Sequence, residues 1–351
     1  MSTYAYPTQT KQLDTATIAT LEDSLHEYDI PQAYRNALFM QLLLANSMEP
    51  GLEIQGRNTL LPGLRIKRKT QGGTRAESFV NFETASTAQF FNGLDILDTK
   101  QNDGPTRSYS DFAYLTCLVS IAGIEKLENT GAMKRLDILR SRQNQEIRGA
   151  VRLAETALHS TNADTVKGSQ QSFSGYQHKI KEDPTTSTVI QGLNQSTFTP
   201  WRNQTTTGGS FATQGLDDMR EMWFSVSGVN GMEPPHLWTT TSTIAGYVTK
   251  ALEGVHRIVG SLDGSDLSAS KLPTHMGVPI VHTDDSPSGT MRVWNFDYLE
   301  NIIHEGANWS ENFPGDPNDQ YIKDQKRYVF GAAPMMVTRR EKFGVIHTIS
   351  A

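Results

Sequence analysis

Apolar positions recur at helical spacing over one long stretch, Gly131 to Ser160. Ala132, Leu136, Leu139, Ile147, Ala150, Val151, Ala154, Ala157 and Leu158 fall three and four residues apart. Lys134, Arg135, Asp137, Arg140, Glu146, Arg148, Arg152 and Glu155 lie off that stripe. The spacing predicts a single amphipathic helix of roughly 45 Å, at 1.5 Å per residue, long for a helix of a globular domain. Two shorter helices are predicted ahead of it. One is capped by Asp14 or Thr15 and carries Ile18, Leu21 and Leu25; the other spans Gln32 to Ser47, between Pro31 and Pro50-Gly51. Beyond the long helix, Leu216 to Val226 and Ile244 to Val259 repeat the pattern, the second capped by Ser242 or Thr243.

Strand-like runs occupy the remaining apolar segments. Leu64 to Thr70, Ser78 to Thr84 and Ser108 to Ser120 are separated by Gln71-Gly72-Gly73 and by the turn signal Gln101 to Pro105. Residues 52–112 hold too little apolar content for a core of their own. They are expected to form an extended two-stranded arm, ordered by lying on another surface. His236 to Thr240, Val278 to His282, Met291 to Phe296, Tyr328 to Phe330 and Gly344 to Ile349 also read as strands, and Thr161 to Thr188 as a polar loop. Helices and strands mix without a regular βαβ rhythm or an internal repeat, so the class is α+β.

Composition narrows the function. The 351 residues are 37% hydrophobic and 20% charged, a folded rather than disordered chain. A net charge of -6 argues against a dedicated nucleic-acid binder. The single cysteine, Cys117, excludes an intrachain disulfide framework and lies in the apolar run Ala113 to Ile124, where a buried thiol is expected. Met1 to Leu13 is a polar arm without an apolar signal core. No apolar run approaches the ~20 residues that span a bilayer, so no membrane partner is expected.

Candidate chemistry is sparse. His275, His282, Asp284, Asp285 and His304 have the side chains of a divalent-metal site, but not the spacing of a helical or strand-paired ligand set. Asp284 to Gly289 reads as a hairpin turn. Asp263-Gly264-Ser265-Asp266 and Asp316-Pro317-Asn318-Asp319 read as turns, since neither has a twelve-residue calcium loop. Neither a Gly-x-Ser-x-Gly elbow nor a phosphate-binding Gly-Lys-Ser/Thr loop is present. No catalytic, metal or cofactor site is assigned. One dense basic cluster stands out: Arg65, Lys67, Arg68 and Lys69, with Arg75 nearby. It can face an acidic surface on a neighbouring copy, touch packaged DNA phosphates, or guard a solvated strand edge. Glu146 and Glu155 on the long helix are the candidate acidic counterparts, with Glu125, Glu128 and Asp137 near or on it. Trp201, Arg202 and Asn203 are expected to form a packing and hydrogen-bonding corner.

Several segments, in order, carry a family resemblance. Ser120-Ile121-Ala122-Gly123-Ile124-Glu125 and Glu128-Asn129-Thr130-Gly131 lead from a strand into the long helix. Ile190-Gln191-Gly192-Leu193 precedes Thr199-Pro200-Trp201-Arg202-Asn203-Gln204. Pro235-His236-Leu237-Trp238-Thr239-Thr240 precedes a helix with Tyr247 and Arg257, and Gly277 to Asp284 precedes Val293-Trp294-Asn295-Phe296. Together these resemble the major capsid proteins of tailed bacteriophages, the Hong Kong 97-like fold, over roughly residues 50–351.

The resemblance implies an N-terminal arm at 1–60 and an extended β-hairpin loop at 61–112. It implies a peripheral domain at 113–186 with the spine helix at 131–160, an axial domain at 187–295, and return strands through both at 296–351. It implies a non-enzymatic coat protein of the virion. Such a protein self-assembles through pentamers and hexamers into an icosahedral head around double-stranded DNA in the bacterial host cytoplasm. Its partners would be copies of itself, a portal, scaffolding or decoration proteins, and DNA held by non-specific contact. The chain departs from the family in lacking an obvious N-terminal scaffolding segment of ~100 residues and an identifiable Lys–Asn cross-linking pair; Lys100 and Asn102 merely lie in the loop. Two alternatives stand beside it: an encapsulin-like shell around enzymes, and a metal-dependent hydrolase built on the His/Asp cluster.

Overall fold

The computed structural model describes residues 39, 66–80, 106–120, 132–163, 172–228, 231–256, 273–312 and 325–350. The first half contains β1 (Lys67–Gln71), β2 (Arg75–Val80), β3 (Thr106–Asp111), β4 (Ala113–Ser120), α1 (Ala132–Leu158), α2 (Tyr176–Lys179), β5 (Val189–Ile190) and β6 (Leu193–Asn194). Then follow β7 (Gln204–Thr207), α3 (Leu216–Ser227), β8 (Leu237–Thr240), α4 (Ser242–His256), β9 (Thr274–His275) and β10 (Val278–His282). The chain closes with β11 (Met291–Trp294), β12 (Leu299–Asn312), β13 (Gln325–Val337) and β14 (Gly344–His347). A single turn of π-helix, Phe211–Gly215, leads into α3.

The strands form a four-stranded sheet, β1-β12-β13-β4, a six-stranded sheet, β7-β14-β11-β8-β10-β9, and the pairs β2-β3 and β5-β6. At 27 residues, α1 is about 40 Å long. Ile147, Ala150, Val151, Ala154 and Leu158 on one face of it share a core with Ala113, Cys117, Phe330 and Ala332 of the four-stranded sheet. The same core runs on into Leu237, Val281, Trp294 and Val345 of the six-stranded sheet. The next residue along β8, β10, β11 and β14, or the one before, points the other way. Trp238, Ile280, Val293 and Ile346 meet Met219, Met222 and Val226 of α3 and Ile244, Val248 and Leu252 of α4. Burial on both faces explains why β8 and β11 lack an apolar–polar alternation: every residue in them is buried.

The structure revises several expectations. The strands of the expected two-stranded arm are paired differently at its root. β1 pairs in parallel with β12 rather than with β2, and the stretch 108–120 divides at Phe112 into strands of two different sheets. The inner face of the β2-β3 pair lies on the chain's own body, Ala76 and Phe112 against Ile302, Ala333 and Met336, and Val80 against Leu193 and Trp201. The short strand read at Tyr328 to Phe330 is the 13-residue β13, and 14-residue β12, within the stretch where the resemblance implies return strands, has no strand pattern in its own residues. Register shifts at Glu300/Ile302, Ile303/Asn308 and Asn308/Ser310 explain the omission, because each bulge resets the two-residue period. The predicted helices at 14–25 and 32–47 lie outside the described residues, except Phe39, which is helical. So do residues 81–84, 101–105 and 257–259 and the two Asp-rich turns at 263–266 and 316–319.

Candidate functional site

The outer face of the β2-β3 pair carries the candidate surface. Strict alternation points Ala76, Ser78 and Val80 inward and leaves Arg75, Glu77 and Phe79 exposed. Phe79 pairs across the ladder with Arg107, and Glu77 with Tyr109. Each ring is covered by a guanidinium: Arg75 lies 4.8 Å from the Tyr109 ring centre and Arg107 5.6 Å from that of Phe79. Phe79 nonetheless stays 63% exposed, among the most exposed of the described large apolar side chains.

The basic cluster is divided by the turn at Gly72-Gly73. Gln71 closes that turn: its side-chain amide donates to the Glu77 carbonyl and its side-chain oxygen accepts from the Glu77 N–H, both at 2.9 Å. Lys67 is exposed on β1, while Lys69 pairs with Glu300 at 2.8 Å. Beyond the turn, Arg75 pairs with Asp111 at 2.9 Å. Arg65 lies outside the described residues, as does the side chain of Arg68. Lys69 and Arg75 therefore hold acidic partners within their own chain, and a second copy must compete for them.

Of the proposed acidic counterparts, Glu146 is exposed on α1. Glu155 does not fit an exposed contact. It is 2% exposed and its Oε1 accepts the backbone N–H of Phe39 and faces His159 Nε2, each at 3.1 Å. Polarity placed it off the apolar stripe, but these donors let it sit in the core.

Trp201, Arg202 and Asn203 lie at a corner where three distant segments meet. The Trp201 indole donates to the Ile190 carbonyl, Arg202 Nε to the Gln195 carbonyl, and the Asn203 amide to the Lys181 carbonyl while its oxygen accepts the Lys181 N–H. Two further cations complete the corner. Arg340 donates from Nε to the Lys179 carbonyl at 2.8 Å, from Nη1 to the Trp201 carbonyl at 2.6 Å and Gln195 Oε1 at 3.1 Å, and from Nη2 to Asn203 Oδ1 at 2.9 Å. Lys179 Nζ donates to the carbonyls of Pro334 and Met335, both at 2.8 Å. Those carbonyls belong to a bulge in β13. Ala333 faces Ile302 and Met336 faces Glu300, so two residues oppose Asn301, and Met335 adopts φ +55°. Sequence reasoning missed Arg340 and Lys179 because each stands in a short charged stretch, Arg339 to Lys342 and His178 to Glu182, that reads as surface. Pro334 inside a strand was the available signal for a bulge.

A tight hairpin joins this corner to the candidate surface. Gln191 and Gly192 connect β5 to β6 with φ of +52° and +77°, the left-handed pair of a type I′ turn. The Tyr109 N–H of β3 donates to the Gln191 carbonyl at 3.0 Å. A methyl group on Gly192 would overlap the Tyr109 ring.

The His/Asp set is dispersed. His304 packs edge-on against Phe112 in the four-stranded sheet, whereas His275 lies beside Trp238 in the six-stranded one. Burial holds the His275 imidazole below its ordinary pKa, with the Arg220 charge adding to the effect. Thr283 and Ser286 exchange a side-chain hydrogen bond across the turn before Gly289. Among the described residues, no three His, Cys, Asp or Glu side chains gather as a metal site, and no helix is long and apolar enough to cross a membrane.

No protein-family model and no curated protein sequence matches the chain. Solved structures do. The capsid asymmetric unit of cyanophage A-1(L) is similar with a TM-score of 0.52 at 14% identity, over 88% of this chain and 99% of that one. The capsid of cyanophage P-SCSP1u gives 0.49 at 12% identity, over 81% and 86%. An encapsulin complex from Synechococcus elongatus gives 0.44 at 12% identity, over 87% and 95%. The first of these carries the assignment: over 88% of its length, this chain has the mixed helix-and-sheet fold of a phage capsid subunit.

Proposed function

We propose that this chain is a major capsid protein. It would self-assemble through pentamers and hexamers into the icosahedral head that encloses the double-stranded DNA of a tailed phage. The observation that carries this is the correspondence with a cyanophage capsid chain over nearly the whole of both molecules. On this proposal α1 is the spine helix of a peripheral domain at 113–186. Residues 61–112 are the extended loop, 187–295 most of the axial domain, and 296–351 the strands that return through both. Its role is structural rather than enzymatic. Portal, scaffolding or decoration proteins would be further partners within the virion, and DNA would be held without sequence preference.

The physical work is repeated head-to-tail contact, closed into rings by rotational symmetry. Each contact can be modest, because many act together once a ring begins to close. The exposed Phe79 and Tyr109, flanked by Arg75 and Arg107, give the β2-β3 pair an apolar centre with a charged rim, the composition of an interface patch. Its proposed counterpart is an acidic surface on the next copy that includes Glu146.

Electron microscopy of the expressed protein tests this directly. Closed shells of uniform diameter are expected. A preparation that stays monomeric at every concentration and salt tried would overturn the proposal. The cargo of particles from infected cells separates a phage head, which holds DNA, from an encapsulin-like shell, which holds protein.

A further inference from the structure

Gly149 lies inside α1 on its exposed side. A methyl group added there would meet no other part of the subunit within 4 Å. Glycine inside a helix destabilises it relative to alanine, and no contact within the subunit requires one here. A missing side chain on an open helix face lets another backbone come close. The surrounding residues suit such an approach. Gln145, Glu146, Arg152 and Leu153 stand three and four positions to either side, on the same face, and all are exposed. Leu153 is 62% exposed, an apolar side chain that a partner would cover. The charges are placed symmetrically. Glu146 comes three residues before Gly149 and Arg152 three residues after, each about 4.5 Å along the axis. Two antiparallel copies of α1 that cross at Gly149 set Glu146 of each level with Arg152 of the other, twice about one two-fold axis. A parallel pair would instead set Glu146 against Glu146.

We propose that the Gly149 face of α1 docks the same face of a second copy, as an antiparallel helix pair closed by two Glu146–Arg152 ion pairs. The glycines let the axes approach, and Leu153 of each copy covers the turn at Gln145 and Glu146 of the other. Arg152 touches Asp285 of its own chain at 3.4 Å, a long and exposed contact that leaves its fork able to take a second carboxylate. Two crossing helices fall short of the roughly 1,200 Å² of a stable interface, so the dimer is transient. Glu146 is also the counterpart proposed above for the β2-β3 surface, and one carboxylate cannot serve both contacts. In a subunit that builds shells, the helix pair belongs to the free form and gives way as rings close. The pair itself does not depend on that reading.

Disulfide trapping and sedimentation equilibrium of the full chain, after any shells are pelleted, test it. Gly149→Cys puts one thiol of each copy at the crossing. It should link into dimers under mild oxidation at least tenfold faster than Leu153→Cys, whose copies lie about 12 Å apart, beyond the ~7 Å Cα reach of a disulfide. Equal or reversed rates would show random collision or a parallel pair, and would overturn the proposal. So would a wild type that stays monomeric up to millimolar subunit. Glu146→Arg should weaken dimerisation at least tenfold, and adding Arg152→Glu should restore it to within threefold of wild type, since the ion pairs re-form with signs exchanged. A double variant that melts like the single one and is not restored would overturn the pairing. If the double variant melts lower through loss of the Asp285 contact, Gly149→Ala decides. It should raise the melting temperature, alanine being the better helix former, yet weaken dimerisation at least fivefold. Pairing as tight as wild type in Gly149→Ala would overturn the close approach.

Discussion

The cations of the β1–β3 surface and those of the 179–340 corner are the same residue types in opposite circumstances. Arg75 and Arg107 have side chains 52% and 66% exposed and single acidic partners. Arg340 and Lys179 are each 1% exposed and donate mainly to carbonyls and side-chain amides. Exposed pairs contribute about 0–1 kcal/mol each. Removing a buried donor strands its acceptors at about 1–3 kcal/mol apiece. Burial and the kind of acceptor, rather than the density of charge along the chain, thus separate cations on a surface open to partners from cations that hold the subunit together.

The contrast is broken most strongly at Arg340. Arg340→Ala should lower unfolding stability by about 3–5 kcal/mol in urea titrations, since it strands acceptors on three segments. Arg340→Lys should recover only part, because an ammonium cannot reproduce the planar fork. An Arg340→Ala subunit of unchanged stability would refute the contrast. Next comes the seam between the two regions. Gly192→Ala forces a non-glycine residue to φ +77° and drives a methyl into the Tyr109 ring, and should cost about 2–3 kcal/mol.

Glu233 is intermediate. It accepts from Lys342 Nζ at 2.5 Å and from the Tyr298 hydroxyl at 2.6 Å. Those bonds, the lysine first, hold its carboxyl below the ordinary range. A carboxylate with a lowered pKa stabilises the fold above its unfolded value, about 4.3, and loses that contribution as pH falls through the folded value. The melting temperature should therefore fall on acidification below about pH 4.3, and fall less steeply in Glu233→Gln. Equal slopes would remove Glu233 from the acid response.

The smallest effects on stability belong to the exposed set. Lys69→Ala should cost about 1 kcal/mol or less, because Glu300 retains the Ser78 hydroxyl at 3.1 Å. Charge reversal at Lys67 and Arg75 together should change subunit melting by no more than a few degrees, while particle yield in sedimentation drops severalfold. Normal yield from that variant would dismiss the β1–β3 surface as an assembly contact.

Much of this was legible in the chain, for reasons specific to each element. α1 announced itself because Ile147, Ala150, Val151, Ala154 and Leu158 keep one helical period along the face that enters the core. The strand at Val278–His282 matched its sequence bounds. β12 stayed hidden because Glu300, Asn301, His304 and Glu305 interrupt its apolar positions and bulges break its period. Glu155 was misplaced on the helix because a hydropathy stripe records polarity, while burial depends on a donor from residue 39. Trp201, Arg202 and Asn203 are neighbours in the chain, but the residue that ties them to the rest of the subunit, Arg340, comes from a segment 139 residues away from Trp201. No local pattern carries such a pairing.

Cys117 lies 7% exposed beneath α1, in the core shared with Ile147 and Ala150, and it is the chain's only thiol. Its alkylation rate is therefore a clock for the helix lifting from its sheet. A slow reagent that labels one sulfur per subunit would read that motion in any state the protein adopts, without an engineered probe.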